Sequence, residues 1–93
     1  MIVNFKDRET EILWETGKSR RLPASIRNVA GKKLAILDAA VELLELLAPP
    51  GNRLEKLTGS RAGQYSIRVN DQYRVCFVWK NGNAHDVEIV DYH

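Results

Sequence analysis

Apolar and polar positions alternate with period two in three runs near the end of the chain, at residues 64–69, 73–79 and 84–90. Asn70–Asp71–Gln72 and Asn81–Gly82–Asn83 separate them. Alternation of β-branched and aromatic residues broken by Asn, Asp and Gly predicts an antiparallel meander. Register follows from burial. A three-residue loop at Asn70–Asp71–Gln72 pairs Val69 with Tyr73 and gathers Tyr65, Ile67, Val69, Tyr73, Val75, Phe77 and Trp79 on one face. A two-residue turn would put Arg74 among them, and a slip of one exchanges the faces. The three-residue loop is therefore expected, with an αL bulge. It places Ser66, Arg68, Arg74, Cys76 and Val78 on the other face, with Arg68 directly across from Arg74. Like charges so placed cost about 0.2–1 kcal/mol, which an anion spanning both would offset.

The earlier chain reads in a different period. Residues 1–5 alternate weakly and predict a short strand. Asp7 is a plausible N-cap and Gly17 a C′ residue for a helix of about three turns. Pro23 suits the first turn of a second helix. Ile26, Val29, Ala30, Leu34, Leu37, Val41 and Leu44 recur at three and four, carrying that helix to about Leu47. Pro49–Pro50–Gly51 ends it. A short strand over 53–57 and a polar loop over 58–63, with Arg61 at its tip, lead into the meander. The order is β-α-α-β-β-β-β. It predicts an α+β fold with two N-terminal-half helices packed on one face of a small, mainly antiparallel sheet. Ninety-three residues predict a single domain over 1–93.

Composition narrows the function. No apolar stretch reaches the ~18–20 residues of a membrane span, and no secretory leader pattern is present. One cysteine, Cys76, precludes an internal disulfide and suits a reducing cytoplasm, the expected location. Its default role is a small strand side chain. There is no metal-ligand spacing and no Gly-rich phosphate loop, so neither metal nor cofactor is expected. The net charge of +2 is unevenly spread, at +1 over residues 1–50, +4 over 51–80 and −3 over 81–93. Residues 18–33 carry Lys18, Arg20, Arg21, Arg27, Lys32 and Lys33 with no acid. Two basic stretches on a small domain favour a polyanion partner.

The candidates for chemistry are Lys56, Arg61, Arg68, Arg74, His85, Asp91, Tyr92 and His93. RNA carries its own nucleophile, the 2′-OH. Cleavage needs a proton acceptor, a proton donor for the 5′-oxygen and cations on the phosphate. Arg68 and Arg74 can grip a phosphate in fork geometry, and His93 can supply the proton. Tyr92 can stack on a base or donate to a phosphate oxygen, and Asp91 can orient or accept.

Several stretches carry a resemblance. Pro49–Pro50–Gly51–Asn52–Arg53–Leu54, the segment from Gly59 to Gly63, residues 64–77 and the ending Asp91–Tyr92–His93 resemble HigB-type toxins of the RelE/ParE superfamily. The resemblance implies a RelE/ParE-like fold and a ribosome-dependent endoribonuclease that cuts mRNA in the decoding site. It implies a HigA-like helix-turn-helix antitoxin as partner, with operator DNA bound only through that antitoxin. By position, Arg74 matches the family's transition-state arginine, and Asp91, Tyr92 and His93 match its C-terminal active-site group. Lys56, Arg61 and Arg68 are the expected RNA-binding cations. One departure stands out: Glu55 and Thr58 occupy positions where the family has a His and a Lys. Lys56 and Arg61 are the candidates to replace that cation, and the departure implies a weaker toxin or one with a different site preference. Two competing readings follow. One is a non-enzymatic inhibitor of DNA gyrase, as in the ParE branch. The other is a phosphate-binding module without cleavage.

Overall fold

A computed structural model describes residues 1–91 of the chain. Helix α1 spans Arg8–Thr16 and helix α2 spans Ala24–Ala39. The strands are β1 (Glu55–Lys56), β2 (Tyr65–Arg68), β3 (Arg74–Lys80) and β4 (Asn83–Val90). They form one antiparallel sheet in the order β1-β2-β3-β4. Both helices pack on one side of it, as the α+β pattern predicts. Leu13, Ala30, Leu34 and Leu37 from the helices meet Ile67, Val75, Phe77 and Ile89 from the sheet in one buried core.

The predicted register holds. Tyr65 pairs with Phe77, Ile67 with Val75 and Arg68 with Arg74. The αL bulge does not form, since Asn81 and Asp86 are the only described residues of the meander other than glycine with positive φ. Asn70 shapes the turn instead. Its side-chain oxygen accepts the N–H groups of Gln72 and Tyr73, while Val69 N–H donates to the Tyr73 carbonyl at 3.0 Å. An Asx turn satisfies these donors without a left-handed residue. At the next hairpin Lys80 pairs with Asn83, so the loop is Asn81–Gly82. Both residues have positive φ, at 53° and 76°, as a type I′ turn requires.

Three expected elements are shorter. Residues 1–5 form no full strand but two isolated bridges, Ile2 with Ala84 and Phe5 with Val87, running parallel to β4. The bulge in β4, with Asp86 at φ 51°, breaks the ladder between them. The expected strand over 53–57 contracts to Glu55–Lys56, because Arg53 is left-handed at φ 44°. Helix α2 stops at Ala39 rather than near Leu47. Ala40 turns extended, and Glu45 closes a capping box by accepting the N–H groups of Val41 and Glu42. That carboxylate satisfies the donors an α-helical continuation would use. A 3₁₀ turn follows over Leu43–Leu47 and brings Leu46 into the core, leaving Val41, Leu44 and Leu47 exposed. Among the described residues no helix is long and apolar enough to cross a membrane.

Candidate functional site on the outer sheet face

The sheet face away from the helices is not open. Ser66 and Cys76 lie on it and are fully buried. The segment between residues 50 and 64 roofs them, through 3₁₀ turns at Pro50–Asn52 and Gly59–Arg61. Asn52 locks the start of this roof. Its amide donates to the carbonyls of Leu46 and Ala48 at 3.2 and 3.1 Å, and its oxygen accepts from Lys33 Nζ at 2.5 Å. Fully buried, Asn52 needs all three bonds. It holds Arg53 in the left-handed region, a conformation that costs a non-glycine residue on the order of 1 kcal/mol.

That bend delivers the Arg53 carbonyl to Arg74. Arg74 Nη2 donates to it at 2.6 Å, and Nε donates to Ser66 Oγ at 2.7 Å. Glu55 Oε2 lies 3.5 Å from the same Nη2. The Arg74 side chain is only 15% exposed. Its Nη1 carries no hydrogen bond among the described residues. Arg74 is thus a fixed cation with one edge open.

Arg68 faces Arg74 across the strand pair, but the two do not form an unrelieved pair awaiting an anion. Arg68 bonds Asp71, and Arg74 pairs with Glu55. The fold offsets the repulsion itself. Lys33 lies near Arg68, and burial together with that guanidinium lowers the Lys33 pKa. Arg61 does not stand out from its loop. It turns onto the sheet and donates to Glu88 Oε2 at 3.2 Å, with Lys6 Nζ 3.5 Å from the same oxygen. Lys56 pairs with Tyr65 in register, so alternation puts it on the opposite face from Arg74. His85 pairs with Val78, at the far end of the sheet.

The last strand brings the chain end beside this group. Val90 pairs directly with Arg74, and Asp91 follows it. Asp91 Oδ2 accepts from Gln72 Nε2 at 3.0 Å. Tyr92 and His93 lie outside the described residues. The run-out of β4 is fastened from its free edge. Thr10 Oγ1 accepts the Ile89 N–H at 3.0 Å, and Arg21 Nη2 donates to the Ile89 carbonyl at 2.8 Å. Arg21 is anchored in turn by Asp7 Oδ2 at 2.7 Å. Asp7 therefore uses its carboxylate on Arg21 rather than as a side-chain cap for α1.

Sequence reasoning found Arg68, Arg74 and Asp91 as neighbours. It missed the residues that hold Arg74, namely Arg53, Ser66 and Glu55, and the clamp of Thr10 and Arg21. Arg53 and Ser66 gave no local signal, and Glu55 stood out only as a departure from the family pattern. Cys76 carries no nucleophilic chemistry here, since burial pushes its thiol up to about 11 and a thiol rather than thiolate is present at neutral pH. Among the described residues no cluster of His, Cys, Asp and Glu is arranged to hold a metal.

A small basic sheet with a fixed arginine beside the end of its last strand is the frame of a RelE-like protein. A profile described as a RelE-like toxin of type II toxin–antitoxin system HigB matches residues 3–93. The chain belongs to the HigB-like toxin family. It is 49% identical over 85 residues to Toxin HigB-1 of Vibrio cholerae, covering 90% of each chain. It is 34% identical over 97 residues to Endoribonuclease HigB of Proteus vulgaris, covering all of both. An uncharacterized protein of Haemophilus influenzae is 29% identical over 85 residues, covering 90% of this chain and 84% of its own. The chain is thus a toxin of a toxin–antitoxin system, and an antitoxin is the partner such a system supplies.

Proposed function

We propose that this toxin is a ribosome-dependent endoribonuclease that cuts mRNA in the decoding site. The observation that carries the reading is Arg74, fixed by Ser66, Arg53 and Glu55 with Nη1 open, and paired in register with the residue before Asp91. The full-length similarity to Endoribonuclease HigB of Proteus vulgaris supports it. The 2′-OH attacks the adjacent phosphorus, the P–O5′ bond breaks, and a 2′,3′-cyclic phosphate and a free 5′-hydroxyl result. This route needs no metal. Arg74 stabilises the charge that builds on the phosphate oxygens, an effect that typically amounts to about 10²–10³ in rate for one fixed donor. Arg68 adds field from the neighbouring strand. His93 donates the proton to the 5′-oxygen, Tyr92 stacks on a base or donates to the phosphate, and Asp91 orients them. Lys56 and Arg61 bind RNA away from the scissile bond. The antitoxin is a HigA-like helix-turn-helix protein, through which alone the complex reaches operator DNA.

Primer extension on translated mRNA after induction tests this. New 5′ ends should appear with the wild type and vanish with Arg74→Ala and with His93→Gln. Ends unchanged in either variant would overturn the roles given to those residues, and DNA damage without new ends would favour gyrase inhibition.

A further inference from the structure

We propose that Glu55 is the general base of this site, the group that takes the proton from the attacking 2′-OH. The inference rests on the endoribonuclease reading above and supplies the proton acceptor that reading lacks.

Three observations carry it. The first is position. Glu55 pairs with Ser66, which pairs with Cys76, so its side chain shares the face of Arg68 and Arg74. The second is its relation to Arg74. The Glu55 carboxylate lies 3.5 Å from Nη2, at the outer limit of a hydrogen bond, while Ser66 Oγ and the Arg53 carbonyl take the short bonds at 2.7 and 2.6 Å. Arg74 is therefore held without Glu55, and the carboxylate keeps acceptor capacity for another donor. The third is access. Glu55 is 59% exposed beside a guanidinium that is 15% exposed. It stands on a two-residue strand at the edge of the sheet, where an extended RNA strand can lie alongside. Glu88, also on this face, is closed by comparison. It is 12% exposed and carries both Arg61 and Lys6.

The step balances. A phosphate oxygen takes the open Nη1 edge of Arg74, which brings the neighbouring 2′-OH to the carboxylate. Glu55 accepts the hydroxyl proton as the O2′–P bond forms. The P–O5′ bond breaks and O5′ receives a proton from His93. Glu55 ends protonated and returns its proton to water. The ion pair with Arg74 keeps the carboxylate aimed until the phosphate arrives.

The test is single-turnover cleavage of ribosome-bound mRNA by wild type, Glu55→Gln and Glu55→His, from about pH 5.5 to 9, with ribosome binding measured beside it. Glu55→Gln should lose about 10²–10⁴ in cleavage rate, the usual worth of a positioned base, while binding the programmed ribosome within threefold of wild type. Glu55→His should recover part of the rate and gain an acid limb near ~6.5, the reference value of imidazole, that wild type lacks. A mere partner of Arg74 would not move the pH profile. Cleavage by Glu55→Gln within threefold of wild type overturns the inference, as does a loss matched by equal loss of binding or a Glu55→His profile superposing on wild type. Absence of cleavage by wild type itself would overturn the endoribonuclease reading and this inference together, so the two failures are distinguishable.

Discussion

Thr10 is a side chain on α1 whose removal should be felt at the far edge of the sheet. It is 1% exposed, and its hydroxyl oxygen accepts the buried N–H of Ile89 and an N–H of Arg21 at 3.0 and 3.3 Å. Thr10→Val keeps the shape and the β-branch and deletes the acceptor. The Ile89 N–H is then left buried without a partner, at a cost of about 1–3 kcal/mol. Arg21 retains the Ile89 carbonyl and Asp7, so the strand should stay attached. For a chain of this length each kcal/mol lowers the melting temperature by about 4–8 °C, which puts the expected drop at roughly 4–20 °C. Urea unfolding should show a lower midpoint at unchanged slope. Hydrogen exchange at Ile89 should accelerate more than at Val75 on the neighbouring strand. Thr16→Val is the control, because Thr16 sits exposed at the end of α1 and bonds only locally, to Ile12 and Lys18; it should change stability by no more than about 0.5 kcal/mol. A Thr10→Val protein as stable as the control would refute the claim that this hydroxyl fastens the last strand.

Further predictions follow from the roof and the sheet. Asn52→Ala removes the amide that serves the Leu46 and Ala48 carbonyls and the acceptor of Lys33; denaturation should show a loss of about 1–3 kcal/mol, and mRNA cleavage should fall as the Arg53 carbonyl loosens from Arg74. The Cys76 thiol is raised by burial from 9.0 to about 11, above its unfolded value, so its contribution to stability is fully present below about 9 and is lost as pH rises towards 11. Cys76→Ser should flatten stability over that alkaline window, and wild-type Cys76 should resist alkylation near pH 8 until the protein unfolds. Arg74→Lys should cleave far more slowly than wild type in single-turnover assays, because an ammonium cannot bond Ser66 and the Arg53 carbonyl while presenting a second open donor.

The meander was legible because alternation and burial constrain each other. Only one register puts Ile67, Val75 and Phe77 inside together, and the pairing of Arg68 with Arg74 follows from it. Helix α1 was legible from Asp7 and Gly17. The end of α2 was not, since apolar spacing continues through Leu44 and Leu46 while the break depends on the Glu45 carboxylate folding back to Val41 and Glu42. The roof was hidden for a similar reason. Ser66 and Cys76 read as solvent-facing by parity, and only a distant segment, fixed by Asn52 and Lys33, covers them. Partners such as Glu55 for Arg74 or Glu88 for Arg61 are long-range and leave no periodic trace in sequence. The parts assigned to Tyr92 and His93 rest on their family position at the chain end.

The central claim is that Arg74 holds a phosphate for attack by its neighbouring 2′-OH. The most direct measurement uses purified toxin, ribosomes and an mRNA with a single 2′-deoxy nucleotide at the mapped cleavage position. The account predicts cleavage of the all-ribose message to a 2′,3′-cyclic phosphate, none at the deoxy position, and none of either message by Arg74→Ala. Cleavage at the deoxy position, or an undiminished rate in Arg74→Ala, would contradict it.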